Sequence, residues 1–192
     1  MIKSIKRYIR KKLARLLNIE NNDQYLERLK GRGLKVGVNF NMQKDVILDD
    51  SHCWLIEIGD NVTMAPRVHV LCHDASTKQH LGYTIIGKVS IGDNVFIGAN
   101  STIMPTVNIG SNSVIGANSL ITKDVEENTV VYGSPAKFVC TTEEYISNNK
   151  DSMKISPIFD ESYTLRKNVD DPKKQEMIEL INNSKTKKGF IE

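Results

Sequence analysis

The sequence predicts an all-β solenoid, a parallel β-helix with short N-terminal helices and a polar C-terminal tail. Three observations predict it. First, Ile91, Ile97, Ile103, Ile109, Ile115 and Ile121 recur every six residues, and Val95, Ser101, Val107, Ser113, Ser119 and Val125 hold the fourth position after each. Apolar spacings of three and four would make a helix and a spacing of two an isolated strand, so six fits neither. It fits a coil with three flat faces, an aliphatic residue pointing inward on each, as in the hexapeptide repeats of parallel β-helices. Second, Gly92, Gly98, Gly110 and Gly116 directly follow four of the isoleucines, where such a coil must turn. Third, the aromatic content is only 6% within an ordinary apolar fraction of 40%, which suits a narrow interior of Ile, Val and Ala. One repeat cannot bury its own apolar face, so the repeats must stack.

Taken in order, residues 1–35 form an N-terminal segment, 36–140 the β-helix and 141–192 a polar extension. Ile2 to Leu17 reads as an amphipathic helix: Ile2, Ile5, Ile9, Leu13 and Leu16 make one stripe, surrounded by Lys3, Lys6, Arg7, Arg10, Lys11, Lys12 and Arg15. Such a helix suits attachment to an anionic membrane surface through residues 2–17. It equally suits packing on the coil with its charges solvated, which is the more ordinary use. Asn22 to Leu29 reads as a second short helix, broken by Gly31 and Gly33. The repeat begins weakly near Val36 and Val46 and firms at Ile58, Met64 and Val70. Ile58 and Ile91 lie 33 residues apart, which six does not divide, so the coil is interrupted between Cys72 and Ile86. The polar stretch starting at His73 therefore leaves one corner as an excursion loop, 73–86, and loops on rigid scaffolds often carry function. Gly133-Ser134-Pro135 closes the coil, with Lys137 to Val139 as a last strand. Pro172 to Ile181 reads as a helix begun by aspartates, and Asn182 to Glu192 as a mobile end.

Composition bounds the function. A net charge of +3 and the lack of basic stretches interleaved with aromatics argue against nucleic acid. Three cysteines without CxxC spacing suit a reducing cytoplasm, and no metal-ligand spacing appears. No apolar run reaches the roughly 18 residues of a membrane span, and the N-terminus lacks the apolar core of a secretory signal. Neither GxGxxG nor a Walker loop is present.

His73 is the sharpest chemical candidate, because it stands where a regular coil gives way to a loop. Histidine's unperturbed pKa near neutrality suits a general base, although a lone loop histidine is more often ordinary surface. His52, His69 and His80 rank lower. Cys72 beside His73 would suggest a thiol nucleophile, but adjacent residues on an extended chain face opposite sides, which turns Cys72 to the core. Lys123 and Lys137 follow the last coils, where they could meet phosphates or simply be solvated.

The stretches Trp54–Asp74 and Lys88–Asn100, Ile121-Thr-Lys-Asp124, and Gly133-Ser-Pro-Ala-Lys137 resemble the hexapeptide-repeat acyltransferases. Within that family they are similar to the maltose, galactoside and nodulation-factor O-acetyltransferases, with relatives in capsule and lipopolysaccharide biosynthesis. The resemblance covers roughly residues 36 to 140. It implies a left-handed winding, against the general preference for right-handed parallel crossovers. It also implies a homotrimer with active sites between subunits and acetyl-CoA as co-substrate, with no metal required. By position it makes His73 the catalytic base and the Ala99 amide the oxyanion donor. Phe96 (where many relatives have tryptophan), Ala99, Ala117, Thr122 and Lys123 would line the coenzyme groove. Lys137 replaces a frequent arginine near the coenzyme's phosphates. Asn39 and Asp50 match polar acceptor contacts, with about three extra residues between them that allow a slip to Asn41 or Asp49. Glu57 is the candidate to orient His73.

The reading that follows is an acetyl-CoA-dependent O-acetyltransferase acting on a hydroxyl of a sugar or glycan precursor. It would work in the cytoplasm, with peripheral contact to the inner membrane face through residues 2–17 as an option. N-acetylation of an amino-sugar nucleotide and a non-catalytic hexapeptide scaffold are the alternatives. Serine acetyl transfer is weaker, because the long helical N-terminal domain of those enzymes is not seen.

Overall fold

Strands of two or three residues cannot stand alone, and here each is held by the strand one coil away. In the computed structural model, which describes residues 20–192, the first coil comprises β1 (Lys35–Val36), β2 (Asn41–Met42) and β3 (Ile47–Leu48). The second comprises β4 (Ile56–Ile58), β5 (Thr63–Met64) and β6 (His69–Val70). A short hairpin of β7 (His73–Asp74) and β8 (Ile85–Ile86) intervenes. The third coil is β9 (Val89–Ile91), β10 (Phe96–Ile97) and β11 (Thr102–Ile103), and the fourth β12 (Asn108–Ile109), β13 (Val114–Ile115) and β14 (Leu120–Ile121). The pairing gives three parallel sheets, β1-β4-β9-β12, β2-β5-β10-β13 and β3-β6-β11-β14, visited in rotation. The expected helix Ile2–Leu17 lies outside the described residues.

Register places inward residues directly over one another. Val36, Ile58, Ile91 and Ile109 form one column, and Met42, Met64, Ile97 and Ile115 the second. Leu48, Val70, Ile103 and Ile121 form the third. The inward positions between strands, such as Val62, Val68, Val95 and Val107, are likewise buried. Serine is tolerated there because its hydroxyl finds a carbonyl: Ser101 Oγ donates to Gly116 O at 2.9 Å, Ser113 Oγ to Glu126 O at 2.9 Å and Ser119 Oγ to Gly116 O at 2.6 Å.

The corners explain the polar punctuation. Asn39, Asn61, Asn94, Asn112 and Asn128 all turn with positive φ, which asparagine tolerates better than most residues. Each side-chain amide donates to the next, at 3.0–3.1 Å, so Asn39 is the first rung of a ladder along one corner. At the corner after the second sheet the coils nearly touch, and a Cβ on Gly98 would lie 2.4 Å from Ala117 N.

Two interruptions leave the coil, where the sequence shows only one clearly. Both leave after the third sheet: residues 49–55 between β3 and β4, and residues 71–88 between β6 and β9. The second contains the expected excursion, tied as the antiparallel pair His73↔Ile86 and Asp74↔Ile85 around helix α1 (Lys78–Leu81). Before the first coil, helix α2 (Asn22–Lys30) starts with a capping box between Asn21 and Gln24, as the expected second helix does. After the last coil, β15 (Thr129–Gly133) pairs with β13 and turns antiparallel into β16 (Ala136–Thr141), longer than the expected strand.

The described residues form two compact units, the first ending at Thr142 and the second Glu143–Glu192. The second holds α3 (Thr142–Met153) from its second residue onward and α4 (Asp171–Asn183), the latter capped by Asp170, whose carboxylate accepts from Lys173 N at 3.0 Å. Its end is not the mobile segment expected. β18 (Phe190–Ile191) pairs in parallel with β17 (Ile158–Phe159), because Phe159 supplies a buried anchor that polar composition conceals. Among the described residues no helix is long and apolar enough to cross a membrane.

Gly98→Ala is expected to lower stability by about 1–3 kcal/mol through overpacking between coils. Urea unfolding measures it, and a loss below a few tenths of a kcal/mol would mean that the coils do not meet there.

Candidate active site

The two interruptions place their first residues side by side. Leu48 is paired with Val70, so Asp49 follows the first coil at the level where Leu71 and Cys72 follow the second. The Asp49 carboxylate is buried at 3% exposure, and four N–H groups surround it. Its Oδ1 accepts from the Ser51 amide at 3.1 Å and the His52 amide at 3.2 Å. Its Oδ2 accepts from the Cys72 amide at 2.8 Å and lies 2.5 Å from His73 Nδ1. Burial pushes the Asp49 carboxyl up, but the bonds from Cys72, His73 and His52 outweigh it and hold the group below its ordinary value.

An ionised carboxylate only accepts, so the proton between the two belongs on His73 Nδ1. In the neutral ring this leaves the Nε2 lone pair unprotonated on a partly exposed side chain. That arrangement can take a proton from a hydroxyl and have the resulting imidazolium stabilised by Asp49.

Asp49, not Glu57, therefore orients the histidine. Glu57 lies outward on β4 between Lys35 at 2.7 Å and Lys88 at 2.6 Å, whose hydrogen bonds lower it to about 2. Asp50 turns away from the dyad and bridges Arg28 and Arg32, each at 2.6 Å. Asn39 is engaged at the ladder corner rather than at His73. Cys72 is fully buried, and burial pushes its thiol up to about 12, so it stays protonated and is no nucleophile.

His52, which the sequence ranks below His73, and Trp54, to which it gives no role, also belong to this neighbourhood. The His52 ring centroid lies 5.2 Å from that of His73 and 5.4 Å from that of Trp54. Donor atoms of Asp49, His52 and His73 all lie within 4.8 Å of one another, so a metal ion could be held there. The Asp49 carboxylate, however, already accepts four N–H bonds, about its full lone-pair capacity, and a cation would have to displace one.

The remaining predicted residues lie at other edges. Ala99 and Ala117 stack in successive coils at the second corner, with Asn118 N donating to Ala99 O at 2.8 Å. Phe96 stands outward and 45% exposed on β10. Thr122 and Lys123 line a cavity of about 300 Å³ under the terminal hairpin, with Val131, Ala136 and Phe138. Lys137 lies on β16, paired with Tyr132.

The family model described as the hexapeptide repeat of succinyl-transferase matches residues 88–123. Among curated proteins, Protein CapG of Staphylococcus aureus is 46% identical over 99 residues, a match spanning 50% of this chain and 58% of CapG. A maltose O-acetyltransferase from Clostridium difficile 630 superposes with a TM-score of 0.54 at 36% identity, covering 68% of this chain and 83% of that one. The hexapeptide-repeat acetyltransferase VCA0836 of Vibrio cholerae, complexed with acetyl coenzyme A, gives 0.51 at 31% identity, covering 58% and 61%.

Because Asp49 is held low, it stabilises the fold at every pH above the ordinary 3.8, and that contribution is lost as pH falls through its lowered value. The stability gap between wild type and Asp49→Asn, read by urea unfolding, should shrink as pH falls below about 4 and the carboxylate takes up its proton. A gap that does not shrink below about pH 4 would contradict the ionised assignment.

Proposed function

The chain belongs to the hexapeptide-repeat acyltransferase family, and from that premise we propose that it transfers an acetyl group from acetyl-CoA to a hydroxyl of a sugar or glycan precursor. The observation that carries this is the Asp49–His73 contact, which leaves one imidazole nitrogen ready to accept a proton. In the proposed reaction Nε2 takes the hydroxyl proton as the oxygen attacks the thioester carbonyl. The Ala99 N–H stabilises the tetrahedral oxyanion, the C–S bond breaks, and the imidazolium returns its proton to the coenzyme thiolate. The products are an acetyl ester and free coenzyme A. No acyl-enzyme is needed, because both substrates meet in one site. An amine acceptor needs less help from a base than a hydroxyl does and a scaffold needs none, so a buried carboxylate aimed at a histidine favours the hydroxyl.

The winding is left-handed in this reading, and the assembly is a homotrimer. Support for the trimer comes from the corners and the faces. His73 follows the third sheet whereas Ala99 and Ala117 follow the second, so one chain separates the base from the oxyanion donor and a neighbour must supply the other half. The outer face of the first sheet is charged and polar (Lys35, Glu57, Ser90, Asn108), while the second and third expose Phe96 and Ile47. Phe96, Ala117, Thr122, Lys123 and Lys137 would hold the pantetheine arm and phosphates. Asn39 and Asp50 remain proposed acceptor contacts, Asp50 with its arginine partners. Unpaired Cys53, Cys72 and Cys140 suit the proposed cytoplasmic location.

His73→Ala should lower kcat for acetyl transfer by about 10²–10⁴-fold, as thiol release from acetyl-CoA would measure, while the protein keeps a cooperative thermal melt lowered only by the loss of one hydrogen bond to Asp49. Retained turnover would remove the general base. Lys123→Ala should raise KM for acetyl-CoA severalfold and leave that for the acceptor unaltered; equal effects on both substrates would place Lys123 elsewhere.

A further inference from the structure

Singly exposed apolar side chains are ordinary, but Trp54 is not placed as an ordinary one. It is the only tryptophan of the chain, and it is 53% exposed on the 49–55 interruption that also supplies Asp49. Its backbone is fixed from both sides. Next to it, Cys53 is fully buried with Sγ 3.7 Å from Leu29 O. Opposite, the chain after α2 presses so closely that a Cβ on Gly33, where φ is +105°, would lie 2.9 Å from Trp54 Cβ.

The ring is therefore presented by rigid structure, beside a shallow depression lined by Arg32, Asp50 and Ser51. An aromatic face carries negative charge density and attracts the polarised C–H groups of a sugar ring. Around it stand an arginine, a carboxylate and a hydroxyl, the donors and acceptors that a sugar's hydroxyls require. Arg32 and Asp50 hold each other at 2.6 Å, which fixes both at the rim of the depression where a sugar's hydroxyls can share them. Centroid steps of 5.4 Å to His52 and 5.2 Å onward to His73 put the platform within about 11 Å of the base. Two linked pyranose rings can cover that span.

We propose that Trp54, with Arg32, Asp50 and Ser51, forms a stacking subsite for a neighbouring ring of the acceptor. The acceptor is then an oligosaccharide of at least two pyranoses, with one ring on Trp54 and the next offering its hydroxyl to His73. The proposal rests on the reading of His73 as the acetyl-transfer base.

As the only tryptophan, Trp54 reports its own occupancy. Intrinsic fluorescence is titrated with galactose and lactose, and with glucose and maltose, alongside thiol release from acetyl-CoA with the same sugars. The expected result is a saturable response to a disaccharide but not to its monosaccharide. Trp54→Ala should raise the disaccharide KM about tenfold with KM for acetyl-CoA unchanged, and Trp54→Tyr should recover most of it. A saturable response without acetyl transfer keeps the subsite and rejects the acetyltransferase reading. Acetyl transfer without a tryptophan response, or silence in both measurements, overturns the subsite. Loss of assembly in Trp54→Ala by light scattering overturns it too, since Trp54 would then be a subunit contact.

Discussion

In-register stacking of the coils is the constraint on which the rest of the molecule depends. Inward residues of each coil sit over those of the next, as Leu48 over Val70 and Val70 over Ile103. An extra residue inside a strand would turn every following side chain to the wrong face. Additional chain must therefore leave at a corner. Here two segments leave at the same corner of adjacent coils, and their first residues become neighbours. Asp49 and His73, 24 positions apart in sequence, meet because both surplus segments leave at that one corner.

Electrostatics then fixes what that meeting can do. Taking a carboxylate out of water costs several kcal/mol. Hydrogen bonds to a charged group return roughly 1.5–3 kcal/mol each, and Asp49 receives four, three of them from backbone amides. The backbone donors hold the charge in place whatever the histidine does. The His73 ring is consequently oriented by a rigid acceptor rather than by another mobile side chain. Preorganisation of this kind is what a proton-transfer step gains from a solenoid.

The coils from Ile91 to Ile121 were legible because their period is unbroken and their inward residues are nearly uniform. The first coil was legible only weakly, although Val36, Met42 and Leu48 keep the same spacing. Met42 and Leu48 carry no isoleucine-like signature, and the interruption after Leu48 shifts the phase before it can be recognised. With the break after Leu48 unseen, Asp49 could not be placed at the corner of His73, and Glu57 took its role by mere proximity. His73 itself was legible because the second interruption begins on it. The dyad needed two breaks to be seen at once. The terminal pairing of Phe190–Ile191 was hidden for another reason, since a lone anchor such as Phe159 leaves no period to read.

Rigidity also bears on why the proposed reaction needs a second chain. The base and the oxyanion amide stand at different corners of one coil stack, and the sheets between them are joined by continuous parallel ladders. No hinge links those corners, and His73 is tethered to a buried carboxylate, so closure within one chain would have to break the Asp49 contact. The hairpin β7–β8 does not relieve this, because its movement beyond His73 leaves the ring where Asp49 holds it. In the proposed assembly a copy of the chain would present its second corner to the third corner of its neighbour and supply the amide without any such motion. Under the proposed mechanism, assembly replaces conformational change as the means of completing the site.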